Sequence, residues 1–394
     1  MSLDGRLCVL IAGGGTAALE AMLALRALAE ERVDVELLAP EEEFYYRPLA
    51  VAEPFGDAHA ERFELPGLAE AAGARFRLGA LAGVVADRHR VRTSDGARLE
   101  YGALLIACGA RPQEGLPGAL TFRGPEDVAA FGSVLEDLAS GAARSVLFAL
   151  PAGLAWTLPL YELALLTAAY LARLGVRGVE IGIVSHEDAP LALFGYPASE
   201  AVRELLDSRG IAFHARSYPA RVEAGELVLV PAGAIRADRV VALPRLRGPA
   251  LAGVPHDGEG FIPTDPSGRV DELADVYAAG DATAFPVKQG GIAAQQADAA
   301  AETIAARAGA PITPVPFRPV LRGLLLTGAA PGFLRAEIGG GHGPSDFGSE
   351  PLWWPPSKVA GHYLAPFLAS HLGLTVPAAP PVGVGALPID VDLG

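Results

Sequence analysis

The chain is short of cysteine and of positive charge, and its longest apolar stretch is broken several times. Only two cysteines, Cys8 and Cys108, occur in 394 residues, too few for a disulfide framework or a thiolate zinc site. Each lies in an apolar run that reads as a strand, so both read as small buried hydrophobes. None of the eight histidines stands four residues from another, and no metal site is expected. Acidic residues outnumber basic ones 46 to 31, for a formal net charge of −15. That field repels phosphate backbones and anionic lipid, and no basic run opposes it, which excludes nucleic acid and argues against membrane association. Ser145 to Leu171 is almost wholly apolar, but Pro151, Gly153, Pro159 and Glu162 interrupt it. A strand, a loop and a buried helix fit it better than a membrane span. Met1 leads to a strand by Leu7 with no basic leader, so a cytoplasmic location is expected.

What remains is the composition of a globular protein, 51% hydrophobic and 20% charged, long enough for two or three domains. RLCVLIA at 6–12 reads as a strand, the Ala- and Leu-rich stretch after Gly15 as a helix, and VDVELLA as a second strand, a βαβ opening. Residues 75–101 alternate and contain the turn Ser94-Asp95-Gly96, which predicts a small antiparallel meander. Leu104 to Ala107 predicts another buried strand. A second βαβ pattern runs through SVLFAL, a helix over 160–174 and VEIGIVS. Pro- and Gly-rich stretches at 111–118 and 244–258 bracket it like linkers around an inserted domain. VYAAGDATAF and an Ala-rich helix over 291–308 follow. The last part changes texture: two strands (LLLTG and FLRAEI), a Gly-rich loop at 339–343, a helix over 358–372 and a Pro- and Gly-rich tail past 375.

Chemistry concentrates at three places. Gly13-x-Gly15-x-x-Ala18, with Thr16 and Ala17 between, stands between a strand and a helix. The first glycine permits a tight turn, the second lets a pyrophosphate reach the backbone, and the small third residue lets helix and strand pack closely. The anion would sit on the helix N-terminus. The acid usual at the end of the next strand is displaced, so Glu41 either holds ribose hydroxyls or belongs to the solvated run Glu41-Glu42-Glu43. The second place is Val276-Tyr277-Ala278-Ala279-Gly280-Asp281, continued by Lys288-Gln289-Gly290-Gly291 into a helix. The third is YGALLIACGARP, Tyr101 to Pro112.

Together these segments resemble the FAD-binding pattern of the pyridine nucleotide-disulfide oxidoreductase superfamily over most of residues 1–115 and 240–308. The resemblance implies an α/β fold with two Rossmann-like, three-layer ββα dinucleotide-binding domains, the second inserted in the first, and a small C-terminal α+β domain. The implied boundaries are 1–115 and 245–310 for the FAD domain, 116–244 for the insertion and 311–394 for the C-terminal interface domain and tail. It implies FAD as cofactor, with Asp281 on a ribityl hydroxyl and the helix after Gln289 under the pyrimidine edge of the flavin, where its dipole stabilises the reduced ring. The implied cofactor-binding set is Gly13, Gly15, Thr16, Ala17, Glu41, Arg47, Pro48, Leu81, Cys108, Gly109, Ala110, Gly280, Asp281, Lys288, Gln289 and Gly291. Arg47 and Lys288 read equally well as a surface ion-pair residue and a solvated loop lysine. A homodimer is expected by the same resemblance.

The pattern then departs from the family. The loop after SVLFAL reads Pro151-Ala152-Gly153-Leu154-Ala155-Trp156-Thr157-Leu158-Pro159, with one glycine and a bulky indole where a pyrophosphate would need to approach, so NAD(P)H is doubtful. Glu187, after VEIGIVS, keeps a nicotinamide reading open. Pro159-Leu160-Tyr161-Glu162 is similar to sulfide:quinone oxidoreductases, near type II NADH dehydrogenases, yet the redox cysteine pair of the sulfide enzymes is missing. The expectation is an FAD oxidoreductase without redox cysteines, passing electrons from a small-molecule or protein donor through flavin N5 to a quinone or other acceptor. An NAD(P)H dehydrogenase with an atypical loop, a membrane-peripheral quinone reductase and a non-catalytic flavin-binding sensor stay as alternatives. Tyr46, Tyr161, Trp353, Trp354 and Lys358 are the candidates for the substrate side, the two tryptophans reading also as core or interface.

Overall fold

The computed structural model describes residues 5–56, 59–338 and 345–373. The Gly-rich loop at 339–343 and the tail past 375 lie outside them. A five-stranded parallel sheet runs in the order Val276–Ala278, Ala103–Ile106, Leu7–Ala12, Val33–Ala39, Arg75–Leu78. Strands Val276–Ala278, Ala103–Ile106 and Leu7–Ala12 are apolar on both faces because both faces are covered. Val9, Ile11, Leu37 and Leu105 pack under helices Thr16–Ala29, Gly290–Arg307 and Leu364–His371. Leu10, Leu38, Leu104 and Ile106 pack against Val84 and Val91 of an antiparallel meander, Leu81–Val85, Arg90–Thr93 and Arg98–Glu100. Meander, sheet and helices make the ββα layering expected. The meander is shorter than the alternation over 75–101 predicted: Arg75–Leu78 joins the parallel sheet instead, pairing Phe76 with Leu37.

The second unit repeats this plan. Strands Leu120–Thr121, Arg239–Ala242, Ser145–Ala149, Glu180–Val184 and Ile211–His214 form another parallel sheet. Val146, Phe148, Ile183 and Val241 face helices Val128–Ser140, Leu158–Arg173 and Tyr196–Ser208, while Leu147, Ala149 and Val240 face a three-stranded meander through Leu227. The two connections between the units run side by side as an antiparallel pair, Arg111–Gln113 with Arg245–Arg247.

The C-terminal part is a three-stranded antiparallel sheet, Val320–Leu325, Gly332–Glu337 and Ser345–Gly348. Its Leu321, Leu325 and Leu334 pack into the core of the second unit. The last helix spans Leu364–His371, six residues shorter at its start than the pattern over 358–372 suggests. The cause is Glu20 of the first helix, whose carboxylate accepts the N–H groups of Tyr363 at 2.7 Å and Leu364 at 2.8 Å and so fixes the helix start. Among the described residues no helix is long and apolar enough to cross a membrane.

Candidate functional site

At the end of strand Leu7–Ala12, Gly13 adopts φ +140°, and a Cβ there would stand 2.1 Å from the Ala107 carbonyl oxygen. Only glycine allows the loop to pass so close to the neighbouring strand. Gly15 is different: nothing lies within 4 Å of its missing Cβ, and it precedes helix Thr16–Ala29 with no side chain capping the first N–H groups. Free donors at a helix start beside open space suit a pyrophosphate. Ala17 meets the second motif, since a Cβ on Gly280 would lie 3.0 Å from the Ala17 Cβ. The Gly280 turn is held by Gln296, whose Oε1 accepts the Gly280 N–H at 2.9 Å. That turn presents Asp281 to a cavity of about 400 Å³.

The Asp281 carboxylate has no hydrogen-bond or ion-pair partner among the described residues. Burial raises its pKa, opposed by the charges of Lys288 and Arg47. A buried acceptor left open towards a cavity, with the uncapped helix start at Gly15 nearby, fits the ribityl and pyrophosphate parts of a flavin dinucleotide. Lys288 stands with its Nζ 3.9 Å from the centre of the Phe261 ring and donates to the Thr283 carbonyl. Desolvation pushes this ammonium down to about 8, against the pull of Asp281 and Asp257. Gln289 caps helix Gly290–Arg307 by accepting the Ile292 N–H at 2.8 Å and donates to the Arg322 carbonyl at 3.1 Å. The helix N-terminus therefore opens on the cavity while its flank is tied to the C-terminal sheet.

The far wall is the loop that departs from the dinucleotide pattern: Gly153, Leu154, Ala155, Trp156, Leu158 and Pro159 line it. Glu162, one turn into the following helix, is fully buried and bonded to Lys358, whose Nζ donates to Oε1 at 2.6 Å and Oε2 at 2.7 Å. The Leu326 N–H donates to the same Oε1 at 2.8 Å. Burial raises the Glu162 carboxyl, and Lys358 opposes that rise. Both residues line the cavity, joining the second unit to the C-terminal segment. Tyr46 accepts the Val359 N–H at 3.0 Å, which sets the backbone beside Lys358.

Arg47, Pro48, Asp281, Lys288, Gln289 and Lys358 thus share one cavity. Gly13 and Gly15 lie in the loop after strand Leu7–Ala12, Thr16 and Ala17 open the helix that follows, Gly280 forms the turn before Asp281, and Gly291 lies in the first turn of the helix behind Gln289. Glu41 is exposed just past strand Val33–Ala39, and Gly109 and Ala110 follow Cys108 after strand Ala103–Ile106. Leu81 lies in the meander, packed against its core, away from the cavity wall. None of the four expected substrate-side aromatics, Tyr46, Tyr161, Trp353 and Trp354, lines the cavity. Tyr161 is fully buried because its hydroxyl donates to Glu187 at 2.6 Å. Trp353 is 1% exposed because it packs edge-on against Phe333 and donates its indole N–H to the Ser357 carbonyl at 3.0 Å. Trp354, only half-buried, does not line it either. The reading of both cysteines as buried is also corrected. Cys8 is half-buried, and Cys108 is exposed because its strand ends one residue earlier. Protein around the Cys108 thiol still pushes it up to about 11 by desolvation.

The sequence places Lys358 among the substrate-side candidates and Glu162 in the Pro159-Leu160-Tyr161-Glu162 helix start, but assigns Glu162 no role of its own. The signal for one is a carboxylate in an otherwise apolar helix start, which asks for a partner. The sequence also leaves Glu187 open. Its carboxylate accepts hydrogen bonds from Tyr161, from Ser185 at 2.9 Å and from Thr157 at 3.1 Å. Burial raises this carboxyl, and the hydroxyls counter that.

A family model for pyridine nucleotide-disulphide oxidoreductases matches residues 8–140 and 163–302, leaving out the stretch that holds the second unit's atypical loop and Glu162. No curated protein is significantly similar to the chain. Among solved structures, the sulfide:quinone oxidoreductase of the hyperthermophilic bacterium Aquifex aeolicus is similar in fold, with a TM-score of 0.78 at 19% identity over 87% of each chain. A ferredoxin reductase from Rhodopseudomonas palustris gives a TM-score of 0.65 at 20% identity, covering 85% of this chain and 83% of that one. The NDH2 of Plasmodium falciparum, solved with NADH, gives 0.58 at 14% identity, covering 71% of this chain and 64% of that one.

Proposed function

The chain belongs to the pyridine nucleotide-disulphide oxidoreductase family, and from that premise we propose that it is an FAD-dependent oxidoreductase that does not use NAD(P)H and passes electrons from another donor to a quinone or similar small acceptor. The observation that carries the reading is the buried Lys358–Glu162 pair in the wall of the cavity that Asp281 and Lys288 also line. When bound, FAD supplies reversible two-electron chemistry. The protein's part is to bind, to orient and to manage protons. Gly13, Gly15 and the first helix N-terminus take the pyrophosphate, and Asp281 takes a ribityl hydroxyl. Lys288 and the N-terminus of helix Gly290–Arg307 place positive potential on the same side of the cavity, where negative charge accumulates on reduction.

Lys358 holds protons at Nζ, two of which are engaged by Glu162. The third is free to be donated to an acceptor oxygen that becomes basic as it is reduced. Glu162 holds the ammonium in place. Against nicotinamide stand the loop with only one of its glycines and the engagement of Glu187 by the hydroxyls of Tyr161, Ser185 and Thr157, which compete with a ribose for that carboxylate. The reading is tested by releasing the cofactor from the denatured protein and by reoxidising dithionite-reduced protein with the soluble quinone menadione under argon. It predicts about one FAD per chain and rapid reoxidation. A colourless protein, or a reduced one indifferent to the quinone, would sink it.

A further inference from the structure

Five cationic side chains line the cavity, Arg47, Arg123, Lys288, Arg322 and Lys358, against two carboxylates, Glu162 and Asp281. This is the reverse of the chain as a whole, whose net charge is −15. Most of the excess is accounted for locally. Lys358 is neutralised by Glu162 at 2.6 Å, Arg123 by Asp127 at 3.0 Å, and Lys288 and Arg47 act on Asp281. Arg322 is left over: its guanidinium has no ion pair and no hydrogen bond among the described residues.

The sheet makes this costly. Arg322 stands directly across from Arg335 in the antiparallel register, and like charges in that position repel. Arg335 has its own carboxylates, Glu337 at 3.0 Å and Asp346 at 3.6 Å. Desolvation and the charge of Arg335 push the Arg322 guanidinium down to about 10, only partly offset by the charge of Glu337. A partly dehydrated cation whose one nearby carboxylate, Glu337, is already paired with Arg335 is expensive, and Gln289, bonded to the Arg322 carbonyl, holds this strand against the cavity. Much of the remaining wall is apolar, with Phe122, Leu154, Trp156, Leu243, Leu246 and Phe285.

We propose that Arg322 recognises a carboxylate, so that the molecule exchanging electrons in this cavity is an organic acid with an apolar or aromatic body. A guanidinium pairs with a carboxylate through two parallel hydrogen bonds, and the apolar wall takes the rest of the molecule. This rests on the oxidoreductase reading above and adds the substrate class to it.

The test uses the purified full chain, whose flavin content is read from its absorption before any ligand is added. Benzoate, cinnamate and octanoate are then titrated beside their amides, followed by calorimetry and by perturbation of the flavin band. At least one acid binds tenfold or more tightly than its amide. Arg322→Gln removes that preference by a factor of about ten or more, equivalent to about 1.4 kcal/mol, and Arg322→Lys restores part of it. Arg322→Gln melts no lower than the parent, because it relieves the repulsion with Arg335. Amides binding as well as acids on the parent protein would overturn the proposal without reference to any variant, and so would unchanged acid binding in Arg322→Gln. A preparation without FAD would instead overturn the reading beneath it, at the first step.

Discussion

At the scale of single residues, the account turns on groups whose chemistry is set by what surrounds them. Lys358 and Glu162 are the sharpest case, because a buried pair is strongly destabilised when one partner is removed and much less so when both are replaced. Lys358→Met is expected to lower the rate of acceptor reduction by roughly a hundredfold or more, the usual worth of a positioned proton donor, with the FAD content unchanged. Rapid-mixing reoxidation of the reduced protein measures this, and a rate within a few-fold of the parent would remove Lys358 from the chemistry. Gly13→Ala tests the other end of the site. Its Cβ would meet the Ala107 carbonyl at 2.1 Å, so the loop must move, and the purified variant should carry little or no FAD. Tyr161→Phe removes the 2.6 Å bond to Glu187. A bond to a charged group is worth about 1.5–3 kcal/mol, and a lower urea midpoint with an unchanged slope is the expected result.

At the scale of elements, what the sequence announces depends on whether an element is specified by its own residues or by its partners. Strands Leu7–Ala12, Val33–Ala39, Ala103–Ile106, Ser145–Ala149 and Glu180–Val184 and helices Thr16–Ala29, Leu158–Arg173 and Gly290–Arg307 are legible because continuous apolar runs and Ala-rich helices carry their own signal. The outer strands of the second sheet and helices Val128–Ser140 and Tyr196–Ser208 are not. The strand Arg75–Leu78 is misread because its alternation matches the meander that follows, and only its pairing with Leu37 and Leu38 decides the sheet. The start of the last helix is hidden for the same reason, since Glu20, 344 positions from Leu364, sets it. Glu20 also meets Asp298 of the long helix, and the Asp298 Oδ1 is buried without a partner. Two buried carboxyls in contact cannot both ionise. Burial and the charge of Glu20 hold the Asp298 carboxyl well above its ordinary range, with Glu302 adding to the effect.

A carboxyl that keeps its proton more tightly when folded favours the fold fully at pH below its unfolded pKa of about 3.9 and loses that advantage as pH rises toward the folded value. Asp298→Asn has no proton to lose and can donate permanently to Glu20. Relative to it, the parent should lose stability as pH rises above about 4, so that the variant gains on the parent toward neutral and alkaline pH. Thermal melting across that range measures the difference, and a gap that does not change with pH would contradict the assignment.

At the scale of the whole molecule, two ββα units and a C-terminal sheet converge on one cavity, and each supplies part of it. The first unit brings Asp281 and Lys288, the second brings Trp156 and Glu162, and the C-terminal part brings Arg322 and Lys358. The first contribution could be read from glycine spacing and the Gly-Asp turn, which are local. The pairing that joins the other two could not, because Lys358 and Glu162 are 196 positions apart and nothing in either segment names the other. The second unit keeps its fold, with Glu187 at the end of a sheet strand, but its own hydroxyls engage that carboxylate. An anaerobic titration of the yellow protein with NADH and then NADPH, followed at the flavin absorption band, tests this claim directly. The account predicts no bleaching by either nucleotide and full bleaching on addition of dithionite. Prompt bleaching by NADH or NADPH would contradict it.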